Sequence, residues 1–67
     1  MLSARNQLLG KVKSIKRGAV MAEVIIDTGH LELVALISEH SAEALKLKPG
    51  DAVTAIIKAT EVILDKS

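Results

Sequence analysis

The chain has 67 residues, nine of them basic and eight acidic, for a net charge of +1. That is one domain at most, with too weak a field to attract duplex nucleic acid or an anionic membrane. With no cysteine and no aromatic residue, disulfides, thiolate metal sites, a thiol nucleophile and base-stacking platforms are all excluded.

Strand signals dominate the chain. Asn6 to Ile15 predicts a first strand, ended by Lys16-Arg17-Gly18, where Gly18 is expected to supply a positive φ. Ala19 to Asp27 alternates, with Val20, Ala22, Val24 and Ile26 on one face. Thr28-Gly29 is a hairpin turn signal. His30 to Ile37 alternates again: Leu31, Leu33, Ala35 and Ile37 share one face, and Val34 and Leu36 make the other partly apolar. Ser38 to Leu47 changes period and predicts a short helix. Ser38 is its N-cap, Glu39 sits in its first turn, Ala42 and Leu45 face the sheet, and Lys46 lies near its C-terminus. Lys48-Pro49-Gly50-Asp51 predicts a type II turn. Ala52 to Lys58 is a further strand, and Glu61 to Leu64 a short last one. Five strands and one helix predict an all-β fold, a small five-stranded barrel of the oligonucleotide-binding type spanning residues 1–67 as a single domain. That label describes architecture and carries no ligand with it.

A chain this short buries only roughly 60% of its unfolded surface, yet 49% of its residues are hydrophobic. Further copies of the chain are therefore expected to cover part of that surface. No apolar run reaches the ~20 residues that span a bilayer. The start, Met1-Leu2-Ser3-Ala4-Arg5, lacks the basic and apolar regions of a signal peptide. The cytoplasm is the expected compartment.

Two polar clusters carry the candidate chemistry: Ser3-Ala4-Arg5-Asn6-Gln7 near the start and Lys58-Ala59-Thr60 near the end. They offer hydroxyl, guanidinium, amide and ammonium donors and contain no carboxylate. Such a set suits a fully deprotonated oxyanion, which accepts hydrogen bonds and donates none. Glu61 follows directly and would have to point away. Each residue also has a plainer reading. A polar start is commonly frayed, Ser38 is explained by capping alone, and Lys58 and Thr60 suit a solvated strand end. Ser38 and Ser41, at a helix start, offer hydroxyls beside free backbone N–H groups. Lys16 and Arg17 form a basic tip that is ordinarily just solvated, though tips from several copies together make an anion site. His30 and His40 read as surface or interface residues and Met21 as core filler. There is no nucleophile–His–acid set and no Gly-rich phosphate loop, so no enzyme is expected.

Ser3-Ala4-Arg5-Asn6-Gln7, continued by Leu8-Leu9-Gly10-Lys11-Val12, resembles the opening of the molbindins, small molybdate-binding proteins. The similarity extends through Gly18, Met21-Ala22-Glu23-Val24, Ile37-Ser38 with Ser41, Lys48-Pro49-Gly50-Asp51 and Val53 to Thr60. It covers nearly the whole chain, and the opening pentad with the late Lys-Ala-Thr is its specific part. The resemblance implies a barrel of the oligonucleotide-binding type, a homohexamer built as a trimer of dimers, and cytoplasmic storage of molybdate, with tungstate as a mimic. It implies anion sites between subunits. Ser3 and Arg5 come from one chain; Ser38, Lys58, Ala59 and Thr60 come from its neighbour, Ala59 through its backbone. Asn6 and Ser41 are further candidates, and Lys16, Arg17 and His30 are candidates for a second site near the threefold axis.

Two other readings compete. A swapped-hairpin DNA-binding dimer would use Lys11, Lys13, Lys16 and Arg17 as its basic tip, against which the near-neutral charge argues. A non-catalytic regulatory module, of the kind fused to transporter ATPases and molybdate-responsive regulators, would share the fold without storing anything. Delivery to cofactor synthesis and pterin binding are further alternatives compatible with the same residues.

Overall fold

Alternating side chains organise the sheet. In the computed structural model, which describes residues 5–66, the elements are β1 (Asn6–Arg17), β2 (Met21–Asp27), β3 (Glu32–Ser38), α1 (Glu39–Leu45) and β4 (Ala52–Ile57). They form one four-stranded antiparallel sheet in the order β3-β2-β1-β4. Ala22, Val24 and Ile26 of β2 are buried as their spacing predicts, and with Val12 they form the centre of the core. Leu33, Ala35 and Ile37 of β3, and Val53 and Ala55 of β4, pack around them. Val20, read onto the same face, lies ahead of β2 and is exposed.

β1 is the shared spine. Its first half pairs with β4, from Asn6↔Ile57 to Lys11↔Ala52, and its second half pairs with β2, from Lys11↔Asp27 to Arg17↔Ala22. β1 is long, at 12 residues. Its register with β2 is irregular between Val12 and Ser14, a bulge that leaves Lys13 unpaired and bends the strand there. It also explains why Val12 and Ile15, three apart, both pack in the core.

The turns follow local chemistry. Gly29 and Gly50 have φ of 95° and 94°, which glycine adopts without steric cost. Asp51 N–H donates to Lys48 O at 3.2 Å, closing the expected Pro-Gly turn. Gly50 N–H then donates to Val12 O at 2.8 Å, and Val12 N–H to Asp51 O at 2.9 Å, tying that turn to the bend in β1. Gly18 does not take a positive φ. It is needed for closeness instead, since a Cβ there would sit 2.7 Å from Met21 O.

The helix is shorter than the sequence suggests. It ends at Leu45 because Lys46 turns left-handed, with φ 51° and ψ 43°. Ala42 is fully buried, but Leu45 stays 66% exposed, so only Ala42 faces the sheet as expected.

The expected fifth strand is absent among the described residues. Ala59–Glu61 forms a 3₁₀ turn, and Val62 to Leu64 run on exposed. The turn carries the chain away from β4, and Val62 to Leu64 join neither outer strand of the sheet, so β propensity alone does not make them a strand. The result is a curled, open four-stranded sheet with one short helix, in place of a five-stranded barrel.

Candidate functional site

Register decides which candidates meet. Asn6 lies opposite Ile57 at the outer end of the β1–β4 ladder. The residues one step outward, Arg5 and Lys58, therefore flank the same end of the same strand pair. Strand alternation puts both on the face opposite Asn6 and Ile57, and both are exposed. Neither has an ion pair among the described residues. Ser3 lies outside the described residues.

Ala59 and Thr60 continue the cluster. The bonds of their 3₁₀ turn begin with Glu61 N–H donating to Lys58 O at 2.9 Å, followed by Val62 N–H to Ala59 O at 3.4 Å. The amides of Ala59 and Thr60 are the first donors of that turn and take no part in those bonds. This end of the sheet thus offers a guanidinium, an ammonium, a hydroxyl and two backbone N–H groups. Glu61, the one carboxylate next to it in sequence, closes the turn and is exposed.

Ser38 belongs to the other end. It pairs with Met21, whose neighbour Ala22 pairs with Arg17, the last residue of β1. Counted along β1, Ser38 lines up with its finish and Lys58 with its start. The hydroxyl of Ser38 accepts Ser41 N–H at 3.0 Å and donates to Ser41 Oγ at 2.8 Å. That is the N-cap expected of it, and an anion at Ser38 would require the hydroxyl to rotate.

The candidates for a second site separate. Arg17 is gripped by two helix carboxylates, with Nε 2.7 Å from Glu39 Oε1 and Nη2 2.9 Å from Glu43 Oε2. Hydrogen bonds to Glu39 and then Glu43 raise its pKa above the ordinary arginine value. Lys16 pairs in register with Glu23 and is exposed. His30 sits in the β2–β3 turn, at the opposite end of those strands from Lys16 and Arg17. Within one chain these three residues are not brought together.

Lys13 is an ion pair that sequence reasoning missed. The bulge turns it toward Glu32, whose hydrogen bond raises its pKa above the usual lysine value. The spacing of Val12 and Ile15 was the available signal. Gly10 is another omission: a Cβ there would lie 2.8 Å from both Asp27 O and Ile26 Cγ2. Among the described residues no three His, Asp or Glu side chains gather as metal ligands, and no helix is long and apolar enough to cross a membrane.

Comparison with known proteins gives a consistent picture. The family model described as TOBE domain matches residues 2–64. Molybdenum-pterin-binding protein 1 of Clostridium pasteurianum is 44% identical over 64 residues, covering 94% of each chain. The structure of a molybdate binding protein from Sporomusa ovata matches with a TM-score of 0.94 and 47% identity over 98% of both chains. A molybdate-bound form of the cytoplasmic molybdate-binding protein ModG matches with a TM-score of 0.84 and 44% identity, over 87% of this chain and 42% of that one.

Proposed function

The chain belongs to the TOBE domain family, and from that premise we propose that it binds molybdate, with tungstate as a mimic, at sites completed between copies of itself. The observation that carries this reading is the β1–β4 register, which sets Arg5 beside Lys58, Ala59 and Thr60. Molybdate is a tetrahedral dianion without a proton to donate. A cluster of donors with two cations holds it through charge-assisted hydrogen bonds. Protonated phosphate fares worse, since no carboxylate in the cluster accepts its proton.

Ser38 and Ser41 lie at the far end of the sheet from this cluster. A site using both ends takes Arg5 and Lys58 from one copy and Ser38 from another; Ser3 is a sequence candidate two residues before Arg5, and Asn6, on the opposite face of the strand, fits this site less well. That grouping differs from the division the molbindin resemblance implies, in which Ser38 and Lys58 come from one chain. A homohexamer, as a trimer of dimers whose copies close the open sheet into a full barrel, fits the expectation of shared burial. Lys16, Arg17 and His30 fit a second anion site only if different copies bring them together, and Arg17 would first have to leave Glu39 and Glu43. The role is non-catalytic: cytoplasmic capture and storage of the anion.

The relatives' names raise a second reading, a molybdenum–pterin ligand. A pterin ring is best held between aromatic faces, and the chain has none. The bare anion is the better fit. DNA binding is disfavoured because Lys13 and Arg17, half of its supposed basic tip, are paired with carboxylates.

Native mass spectrometry with molybdate, and calorimetry with molybdate, sulfate, phosphate and a free pterin, test the proposal together. Bound molybdate on an oligomer, with weaker sulfate and no pterin, is expected. A lone subunit, or no heat with millimolar molybdate, overturns it.

A further inference from the structure

We propose that Arg17 is a positioning residue for anion capture: by gripping Glu39 and Glu43 it holds the β3–α1 junction, and with it the hydroxyl of Ser38. The proposal rests on the reading above that Ser38 of one copy meets the anion held by Arg5 and Lys58 of another. Arg17 then stands behind the site and does not touch an anion itself.

Register brings Arg17 under the helix. It pairs with Ala22 of β2, Ala22 pairs with Ile37 of β3, and Ser38 is one step further along. Residues directly opposite one another share a face of the sheet. Ala22 is fully buried, so Arg17 ends β1 on the core side, at its rim. Ala22 puts only a methyl group between β1 and the helix, and Ala42 of α1 is fully buried as well. Two small side chains leave the guanidinium a path across β2.

The grip needs an arginine. Glu39 and Glu43 are one helical turn apart, so their carboxylates share a helix face. Nε lies 2.7 Å from Glu39 Oε1, and Nη2 bonds both that oxygen and Glu43 Oε2, the latter at 2.9 Å. Lysine is a single point charge and lacks this fork. Glu39 depends on the contact, because its other carboxylate oxygen is buried without a hydrogen-bond partner among the described residues. A buried carboxylate stripped of its remaining partner is costly. Without Arg17, Glu39 would swing toward water and the first turn of the helix would follow it.

Ser38 has mainly local restraints besides this one. It is the last residue of β3, where it pairs with Met21. Glu39 N–H donates to Val20 O at 2.7 Å, and the Ser38 hydroxyl bonds to Ser41 in the adjoining turn. The helix has only seven residues, too few to hold its shape in water alone, so contacts with the sheet fix its place. Arg17 ties it to β1, whose other end carries the Arg5 cluster. Hydrogen bonds weaken steeply with distance and angle, so a small displacement of Ser38 costs affinity for an anion that it shares with a second copy.

A double-variant cycle, read by molybdate calorimetry on the assembled protein, tests the role. Arg17→Met keeps the aliphatic stem and removes the guanidinium. It is expected to weaken molybdate about 2- to 5-fold, the scale of a partly exposed ion pair, with the number of bound anions unchanged. In a Ser38→Ala background the same change is expected to cost nothing further. Lys13→Met, which breaks the separate ion pair with Glu32, is expected to bind as the parent does. Glu39→Gln combined with Glu43→Gln is expected to weaken binding as Arg17→Met does. Should Arg17→Met fail to assemble, Arg17→Lys, which keeps the charge without the fork, takes its place in the cycle. Unchanged affinity in Arg17→Met, losses that simply add in the cycle, or an equal loss in Lys13→Met overturns the positioning role. Fewer anions bound by Arg17→Met, or more bound by the paired Gln variant, also overturns it and makes Arg17 an anion ligand. Ser38→Ala binding as the parent does overturns the reading that Ser38 meets the anion, and the positioning role with it.

Discussion

If Arg5 and Lys58 hold one anion, the cost of removing both should differ from the sum of their separate costs. A hydrogen bond to a charged group contributes about 1.5–3 kcal/mol. Arg5→Ala and Lys58→Ala are each expected to weaken molybdate roughly 10- to 150-fold. The β1–β4 register sets the two residues at one end of one strand pair, well within the range where effects on a shared partner couple. The double variant should therefore depart from additivity by more than about 0.5 kcal/mol, whereas independent sites would add within that margin. Calorimetry on the four proteins completes the cycle. Lys11→Ala, an exposed lysine farther along β1, is expected to bind as the parent does. Arg5→Lys keeps the charge but loses the planar fork and should recover only part of the affinity. Strictly additive losses would refute the shared site, and unchanged affinity in both single variants would refute the cluster altogether.

Ser38 separates two roles by two substitutions. Ser38→Ala loses the cap and is expected to cost about 0.5–2 kcal/mol of stability, read by denaturant titration. Ser38→Asp restores the cap but brings a negative charge, so it should keep stability and still lose molybdate if Ser38 touches the anion. Gly10→Ala presses a methyl to 2.8 Å from Asp27 O and is expected to destabilise by about 1–3 kcal/mol, with the same readout. Lys13 has a raised pKa, caused first by the hydrogen bond to Glu32. Its stabilising contribution is complete below the unfolded lysine pKa and lost as pH rises through the higher folded value. Glu32→Gln should flatten that alkaline loss in melts between about pH 9 and about pH 12; an unchanged slope would show that the pair adds nothing.

The paired face of the sheet was legible because alternation is a local signal. Ala22, Val24 and Ile26 announce their burial by spacing, as do Leu33, Ala35 and Ile37. Ser38 announces the helix start, and Pro49-Gly50 the turn before β4. The bend in β1 was less legible, since the step from Val12 to Ile15 breaks a period of two and signals a bulge only once both residues are known to be buried. The helix end was misplaced because Ala-Leu-Lys-Leu continues a helical composition through Lys46, and nothing local marks that residue for a left-handed turn. Of the candidate site, the Arg5 and Lys58 clusters were legible as chemistry. Their adjacency depends on the β1–β4 pairing across most of the chain, which composition does not encode.

The last strand failed for a different reason, and the failure bears on how the protein works. Val62, Ile63 and Leu64 have the composition of a strand and stay exposed, although β3 and β4 are both outer strands of the sheet. Val34 and Leu36 of β3 also remain 64% and 66% exposed, so the bare apolar surface extends beyond this segment. A sequence that places strand-forming residues where its own fold offers no partner is consistent at every level only when a further copy is counted. On the proposed association of copies, Lys58, Ala59 and Thr60 link β4 to this exposed apolar segment, so contacts that cover the segment also hold the proposed donors. Disrupting the segment with Ile63→Asp should therefore lower the oligomer and the molybdate affinity together, although Ile63 itself has no group that an anion could use.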